Sequence, residues 1–293
     1  MDLPPLSQSN VTTILADISA TTRLLSAAPA SRPPKGVALW ILLFLAVMIA
    51  SGLFLPGGVN MLAITAALMA ILVVLGCAIV NNPLGVFINS QNIMSLSRFQ
   101  MAVWTIVVLA SYFSYALFRI HQTGFGPITG DPKNDPLNVV IDPHLLVLMG
   151  IGATSLVAAP AILSTKTDKT PAPLVAIKTA LKAGDSLAEV DANRQGTLYA
   201  NSNVNDARAT DMFQGDEIGN TTQIDMAKVQ MFFFTVISGV AYLIMIYRNL
   251  ASAAPGTDLS HLPVIPEGVV YALGISHAGY LTSKTIDHTP VQT

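Results

Sequence analysis

Residues 98–105, RFQMAVWT, recur at residues 228–235 as KVQMFFFT, with a basic residue, a glutamine and an apolar run in the same order. Each copy opens an apolar run of about twenty residues, the length at which a helix crosses the hydrocarbon core of a bilayer. A second apolar segment containing Gly-Ile follows each run, at 148–154 and at 272–278. The pattern predicts a transmembrane hairpin that occurs twice in the chain.

The composition agrees with a membrane protein. The chain has 293 residues, of which 52% are hydrophobic and 11% are charged, and its mean hydropathy is +0.57. Soluble domains typically carry about 25% charged residues. The net charge of -2 argues against a nucleic-acid partner, which requires a basic surplus. The single cysteine, Cys77, allows no internal disulfide. We therefore expect an all-α integral membrane protein.

Apolar runs predict about six transmembrane helices. The last run is short for a span, and a re-entrant segment is the alternative there. The predicted spans are Val37–Leu55, Val59–Val80, Phe99–Phe118, Leu145–Ile162, Val229–Tyr247 and Gly268–Ser283.

Basic residues orient these spans. With the N-terminus in the cytoplasm, twelve of the fifteen Lys and Arg residues fall inside and only Arg119, Lys133 and Arg248 fall outside. This bias follows the positive-inside rule and places both termini in the cytoplasm, in a bacterial inner membrane. Arg98 and Lys228 then both stand at the cytoplasmic mouth of an outward-running span. The two hairpins are therefore expected to be parallel repeats, related by an axis along the membrane normal.

The segments between the spans complete the predicted organisation. Residues 1–35 contain apolar positions at helical spacing, which predict an amphipathic helix that lies on the membrane, on a partner or on the protein's own cytoplasmic surface. The remaining boundaries place a first hairpin at 36–80, the two repeats at 98–162 and 228–284, a polar cytoplasmic segment at 163–227 and a tail at 285–293.

Polar residues at the start of each repeat are the first candidate positions. Arg98 and Lys228 can extend their charged ends to the lipid headgroups. Gln100 and Gln230 lie two residues deeper, where a side-chain amide needs a hydrogen-bond partner. We expect each glutamine to bond to a neighbouring helix and fix its position. A shared polar ring around an opening is the alternative.

Small residues are the second set. Gly150 and Gly152 give the fourth span a smooth face, and Gly274, Ser276 and Ala278 do so for the sixth. Gly274 and Ala278 are four residues apart, a spacing that permits close helix contact in membranes. We expect these faces to pack the two hairpins together.

His277 is the only ionisable side chain well inside any predicted span. Ion-coupled transporters generally carry charged groups at this depth. Adjacent Ser276 and His277 point apart on a helix, so they do not predict a serine hydrolase. We expect His277 to be a hydrogen-bonded packing residue, with a proton relay or ligand as the alternative. The sequence predicts no catalytic residue, cofactor or metal site.

The polar segment 163–227 contains no phosphate-binding glycine loop and too few large apolar residues for an independent core. It is expected to bind a protein partner or a second copy of the chain, or to be a solvated linker. The chain is thus predicted to be a non-enzymatic anchor or scaffold in contact with membrane lipids. The alternative is an oligomeric pore, and a membrane enzyme ranks third. The neutral polar residues that would line the pore are Gln100, Thr105, Ser111, Gln230, Thr235 and Ser238.

Overall fold

The computed structural model describes residues 36–124, 135–184 and 186–292. All regular secondary structure in these ranges is helical, apart from isolated bridges between single residues. The amphipathic helix predicted within 1–35 lies outside the described residues. The α-helices are α1 Val37–Phe54, α2 Gly57–Val80, α3 Leu96–Thr123, α4 Pro143–Ser164, α5 Pro173–Ala183, α6 Leu187–Asn193, α7 Met226–Ser252 and α8 Glu267–Thr285.

Five of these helices, α1 to α4 and α7, are long and apolar enough to cross a bilayer. They identify an all-helical, multi-pass membrane protein. The sixth predicted span falls within α8, which is one continuous helix of 19 residues. Helix α8 is not apolar enough to join the five, because it carries His277, Lys284 and several hydroxyl groups.

The two motif-bearing helices begin at equivalent positions. Helix α3 starts at Leu96 and α7 at Met226, in each case three residues before the predicted span. Asp225 caps α7, since its Oδ1 accepts hydrogen bonds from the backbone N–H groups of Ala227 and Lys228 at 3.0 and 3.2 Å. Ser95 occupies the corresponding place before α3. Both helices thus begin after a polar residue, and among the described residues only Asp225 makes a capping hydrogen bond there.

Helices α3 and α7 lie side by side and run in the same direction. Near their N-terminal ends, Gln100 Nε2 donates to Thr235 Oγ1 at 2.7 Å. Near their C-terminal ends, Asn249 Nδ2 donates to Tyr115 Oη at 3.1 Å. Contacts between like ends at both levels require a parallel pair.

Helices α4 and α8 form a second parallel pair. At their N-terminal ends, the backbone N–H of Ile265 donates to Asp142 Oδ2 at 3.0 Å. At their C-terminal ends, Lys166 Nζ donates to the carbonyl oxygen of Ile286 at 2.6 Å. Helix α8 therefore runs beside α4 from one end to the other.

The four helices form a square in which each helix packs on two others. Helix α3 packs on α4 and α7, and α8 packs on the same two helices. Corresponding helices of the two hairpins are thus neighbours. A two-fold axis through the square would place them on its diagonals. This neighbour pattern is that of two hairpins placed side by side, and it excludes a two-fold axis through the centre of the square.

Helices α1 and α2 cover one side of this square, since α1 packs on α2 and α3 while α2 packs on α3 and α7. Glycines allow the closest approaches. A Cβ atom added to Gly52 in α1 would lie 2.5 Å from Leu117 Cδ1 in α3, and one added to Gly57 in α2 would lie 2.8 Å from the carbonyl oxygen of Leu250 in α7. The tightest of these helix contacts therefore involve α1 with α3 and α2 with α7.

The predicted small-residue faces pack less tightly. An added Cβ would have no neighbour within 4 Å at Gly150, and at Gly152 or Gly274 it would come no nearer than 3.8 Å to another side chain. Ala278 is exposed. Of the predicted glycines, Gly274 contacts the other hairpin at ordinary van der Waals distance, through Ile151 of α4, and Gly150 does not. The spacing of small residues does not reveal which side of a helix meets a neighbour.

The segment 163–227 and residues 286–292 form a folded cap on one end of the square. Helices α5 and α6 enclose a small apolar cluster that includes Ala180, Val190 and Ile218. The carbonyl oxygen of Ile218 also accepts a hydrogen bond from Thr179 Oγ1. The cap is therefore an ordered structure, and the solvated-linker alternative is wrong for its described residues.

Candidate functional site: a buried charge cluster beside a cavity

Asp216 is the centre of a charge cluster between the cap and the helix ends. Its Oδ1 lies 2.9 Å from Lys228 Nζ in α7, and its Oδ2 lies 2.5 Å from Lys284 Nζ in α8. Both lysine side chains are less than 5% exposed. One carboxylate thus holds the ends of two helices, and Lys228 also donates to the carbonyl oxygen of Gln214.

The ion pairs keep Asp216 charged. Burial alone would raise the pKa of this carboxyl group, because it disfavours the ionised form. The ammonium groups of Lys228 and Lys284 act in the opposite direction, through their charge and their hydrogen bonds, and they prevail. The pKa of Asp216 therefore lies well below its ordinary value.

Glu217 forms the second half of the cluster. Its Oε1 lies 2.6 Å from Lys166 Nζ, and each of these side chains is 2% exposed. The Glu217 carboxylate also accepts hydrogen bonds from the backbone N–H groups of His288 and Thr289 at 3.0 to 3.1 Å. Such a set of donors compensates for the removal of the charge from water. Glu217 thereby binds the end of α4 to residues 286–292.

The charges of the cluster nearly balance. Three buried lysines face Asp216 and Glu217, and Asp287 lies at the edge, 3.7 Å from Lys166 Nζ and 2.5 Å from Lys169 Nζ. Within the described residues no three His, Cys, Asp or Glu side chains converge as metal ligands. The geometry is that of a clamp between the cap and the helix ends.

A cavity of about 780 Å³ lies next to this cluster, between α2, α3 and α4. At the depth of the membrane its walls are apolar, with Leu68, Ile71, Met101, Leu109 and Leu156 among the side chains that line it. The α2, α3 and α4 residues that line it lie between the middle of each helix and the cap. The cavity thus extends from the cap to about half the depth of the helix bundle.

The end of the cavity nearest the cap is polar. Its lining there includes Asp216, Lys228 and Lys284 from the cluster, together with Arg98 and Gln91. Arg98 is exposed and has no ion-pair partner within the described part of the chain. Two of the predicted positions, Arg98 and Lys228, therefore contribute to one cavity.

The two glutamines of the motif differ in environment. Gln100 is fully buried, and its Nε2 donates to Thr235 Oγ1 at 2.7 Å and to the carbonyl oxygen of Met231 at 3.5 Å. Its Oε1 has no partner among the described residues. Gln230 is exposed. The predicted buried partner is confirmed for Gln100 and wrong for Gln230.

The polar side chains proposed to line a pore do not meet along one path. Gln100 and Thr235 bond to each other in a closed contact between α3 and α7. Thr105 lines the cavity, Ser111 is fully buried, and Gln230 is exposed on the surface. In a single chain, the described residues therefore separate this set into different environments.

His277 has the hydrogen-bonded environment that the sequence predicts. Its Nδ1 lies 2.6 Å from Ser155 Oγ in α4, and the two residues are 4% and 0% exposed. The neighbouring Ser276 is also buried, and its Oγ lacks a partner within the described ranges. Sequence inspection considered only the adjacent Ser276, so it missed Ser155, which lies 122 residues away.

A hydroxyl group bonded to an imidazole is the core of many nucleophilic sites. Such a site also needs a group that orients the imidazole, donors for an oxyanion and access for a substrate. Ser155 and His277 do not line the cavity described above. Their arrangement between α4 and α8 is that of an interhelical hydrogen bond.

Comparisons with family models, with curated proteins and with solved structures find no match for this chain. The interpretation of the site therefore rests on its geometry.

Proposed function

We propose that the protein is a non-enzymatic membrane scaffold that holds a folded platform on one face of the membrane. The observation that carries this proposal is the clamp, in which Asp216 and Glu217 of the cap bind lysines from α4, α7 and α8. A buried set of ion pairs fixes relative positions, because removal of one partner leaves an unpaired charge.

The platform presents an apolar surface for a partner. Leu174, Ile177 and Leu181 lie along one side of α5 and are 72, 38 and 79% exposed. Their spacing of three and four residues places them on one face of the helix, and this face points away from the cap's own core. Exposed apolar groups that lie together on a rigid element are typical of protein interaction sites. We infer that this surface, formed by Leu174, Ile177 and Leu181, binds a second protein of the assembly.

Photo-crosslinking in intact membranes tests the platform. A benzophenone side chain at Leu181 is expected to give one discrete protein adduct, whereas the same group at exposed Asn203 gives none. Adducts with lipid alone at 181, together with the native size of a single chain after mild extraction, would contradict the scaffold. Mass spectrometry of the adduct distinguishes a second copy of this chain from another protein.

We infer that the two hairpins arose by duplication and that α8 acts as a sixth span. The equal starts of α3 and α7, each after a polar residue, support the duplication. The end-to-end packing of α8 on α4 supports the span, because a helix of 19 residues at 1.5 Å per residue approaches the hydrocarbon thickness of about 30 Å.

Cysteine labelling tests this topology, with the cap in the cytoplasm of a bacterial cell. In a Cys77→Ser background, exposed Ala192 in the cap and exposed Ala254 after α7 are matched positions for a single cysteine. A membrane-impermeant reagent on intact spheroplasts should modify position 254 and spare position 192. The reverse pattern would overturn the orientation, and labelling of both would show that α7 does not cross the membrane.

A further inference from the structure

The cavity beside α3 has the form of an amphiphile site. Helices α2 and α4 pack on α3 from two sides and leave a cleft between them whose floor is α3. Its volume of about 780 Å³ lies within the range of small-molecule sites, which is about 300 to 1,000 Å³. Because α2, α3 and α4 all qualify as membrane spans, lipid is the medium that surrounds this cleft.

The lining of the cleft changes from apolar to polar towards the cap. Apolar side chains line it from the middle of the three helices, and only the neutral hydroxyl of Thr105 interrupts them on α3. Towards the cap the lining turns to hydrogen-bonding groups, which include Asn89, Gln91, Ser95 and Gln195. An apolar tail and a polar head in this order match one molecule of a membrane lipid that stands in the cap-side leaflet.

The charge at the polar end of the cleft determines which lipid headgroup the cleft favours. Arg98 is exposed there and lacks an ion-pair partner in the described chain, and Lys228 and Lys284 share the single carboxylate of Asp216. The formal charges of Arg98, Lys228, Lys284 and Asp216 sum to +2. A guanidinium binds phosphate oxygens through paired hydrogen bonds, so the charge favours a phosphate-containing head.

We propose that the cleft between α2, α3 and α4 binds an anionic phospholipid, with one acyl chain along the apolar wall and the phosphate at Arg98. The apolar length of the cleft distinguishes this ligand from a soluble phosphate, which would use the polar end alone. The site is independent of the platform surface on α5, so it does not rest on the scaffold proposal.

Native mass spectrometry of the purified full chain tests the site. The probes are phosphatidylglycerol and phosphatidylcholine with identical acyl chains, and inorganic phosphate. We expect bound phosphatidylglycerol to exceed phosphatidylcholine at equal concentration, and Arg98→Gln to reduce that preference about five-fold. One basic residue near an anionic lipid surface contributes about 1 kcal/mol, and 1.4 kcal/mol corresponds to a factor of ten. Lys178→Gln, at an exposed lysine of α5, is the matched control and should leave the preference unchanged.

A second pair of variants tests the acyl chain. Ala102 lines the cleft on α3, whereas Ala66 is exposed on α2 outside it. Ala102→Trp should abolish retention of both lipids, and Ala66→Trp should not. Equal binding of the two lipids, an unchanged preference in Arg98→Gln, or equal effects of the two tryptophans would overturn the proposal. Inorganic phosphate that binds as tightly as phosphatidylglycerol would also overturn it, because the apolar wall would then contribute nothing.

Discussion

The starts of α3 and α7 carry the same motif in opposite orientations. In α3 the arginine is exposed and the glutamine is buried, whereas in α7 the lysine is buried and the glutamine is exposed. Residues two positions apart on a helix point in nearly opposite directions, so each helix can bury only one of them. A sideways shift of one hairpin relative to the other explains the exchange. The side that faces α7 in α3 faces away from the square in α7.

The comparison shows that a similar sequence at an equivalent place in two helices does not give equal roles. Lys228 became part of the clamp because Asp216 of the cap lies above α7. Arg98, in the same position of the first copy, remains available at the cavity. One basic residue is therefore an ion-pair partner in the clamp, whereas the other is exposed at the cavity.

The largest loss of stability is expected from Asp216→Asn, which removes the carboxylate that pairs with Lys228 and Lys284. Lys228 and Lys284 would then be buried without a counter-charge, and loss of one partner from a buried pair costs about 3 to 5 kcal/mol. Thermal or denaturant unfolding in detergent measures the loss. Asp168→Asn, at an exposed position, is the control and should have no measurable effect.

The same variant has a defined pH dependence. Because the pKa of Asp216 is depressed in the folded protein, its stabilisation is complete above the unfolded value of about 3.9 and is lost as the pH falls towards the folded value. The difference in stability between wild type and Asp216→Asn should therefore be constant near neutral pH and shrink below about pH 4. A difference that grows in acid would contradict the ion pairs.

Comparing Lys228→Gln with Arg98→Gln tests directly whether the basic residue is buried in α7 and exposed in α3. The first variant leaves Asp216 with Lys284 alone and should destabilise the protein by about 1 to 3 kcal/mol, since buried charged groups lose a partner. The second variant changes an exposed side chain and should stay within about 0.5 kcal/mol of wild type. Equal losses in unfolding experiments would show that the two copies have equivalent surroundings.

A smaller effect is expected where α4 meets α8. Ser155→Ala removes the hydroxyl that bonds to His277 Nδ1, and an unsatisfied buried polar group costs about 1 to 3 kcal/mol. The corresponding residue of the second hairpin, Gly279, is exposed, so Gly279→Ala should have no such cost.

Wild-type protein should not react with a fluorophosphonate probe. Labelling that disappears in Ser155→Ala would instead make this pair a nucleophilic site.

The smallest changes in stability are expected from substitutions of the two glutamines. Gln100→Leu removes the bond to Thr235, and such bonds between membrane helices contribute about 0.6 kcal/mol on average. Gln230→Leu should be neutral or slightly favourable, because this side chain is exposed on a membrane helix. Unfolding of the two variants under one condition measures the difference. A greater loss from Gln230→Leu would contradict the sideways relation of the hairpins.

The sequence predicts the elements along the chain well. Apolar length places five membrane helices, and the shared motif places the equal starts of α3 and α7. The expectation of a bonded partner is correct for Gln100 and His277, because a polar side chain among apolar residues needs one.

The sequence does not reveal how the helices are arranged around one another. Helical periodicity states which residues share a face, but not which neighbour that face meets, so the exposure of Gln230 and Ala278 could not be predicted. The clamp was missed for another reason. Asp216 and Glu217 stand in a polar segment and resemble ordinary surface charges, and the partners that enclose them lie 12 to 72 positions away along the chain.

The attachment of residues 286–292 to the cap has a consequence for biosynthesis. Glu217 and Lys166 emerge from the ribosome before α7 and α8, whereas the N–H groups of His288 and Thr289 that complete their site emerge afterwards. During translation we therefore expect the Glu217 carboxylate to lack these two donors and Pro171 to lack the bridge that it forms with Val291 in the folded chain. A nascent chain that stops after α8 should keep its cap protease-sensitive. Pulse proteolysis of chains ended at residue 285 should show cleavage within 195–220, so that closure of the cap reports that synthesis has passed the last helix.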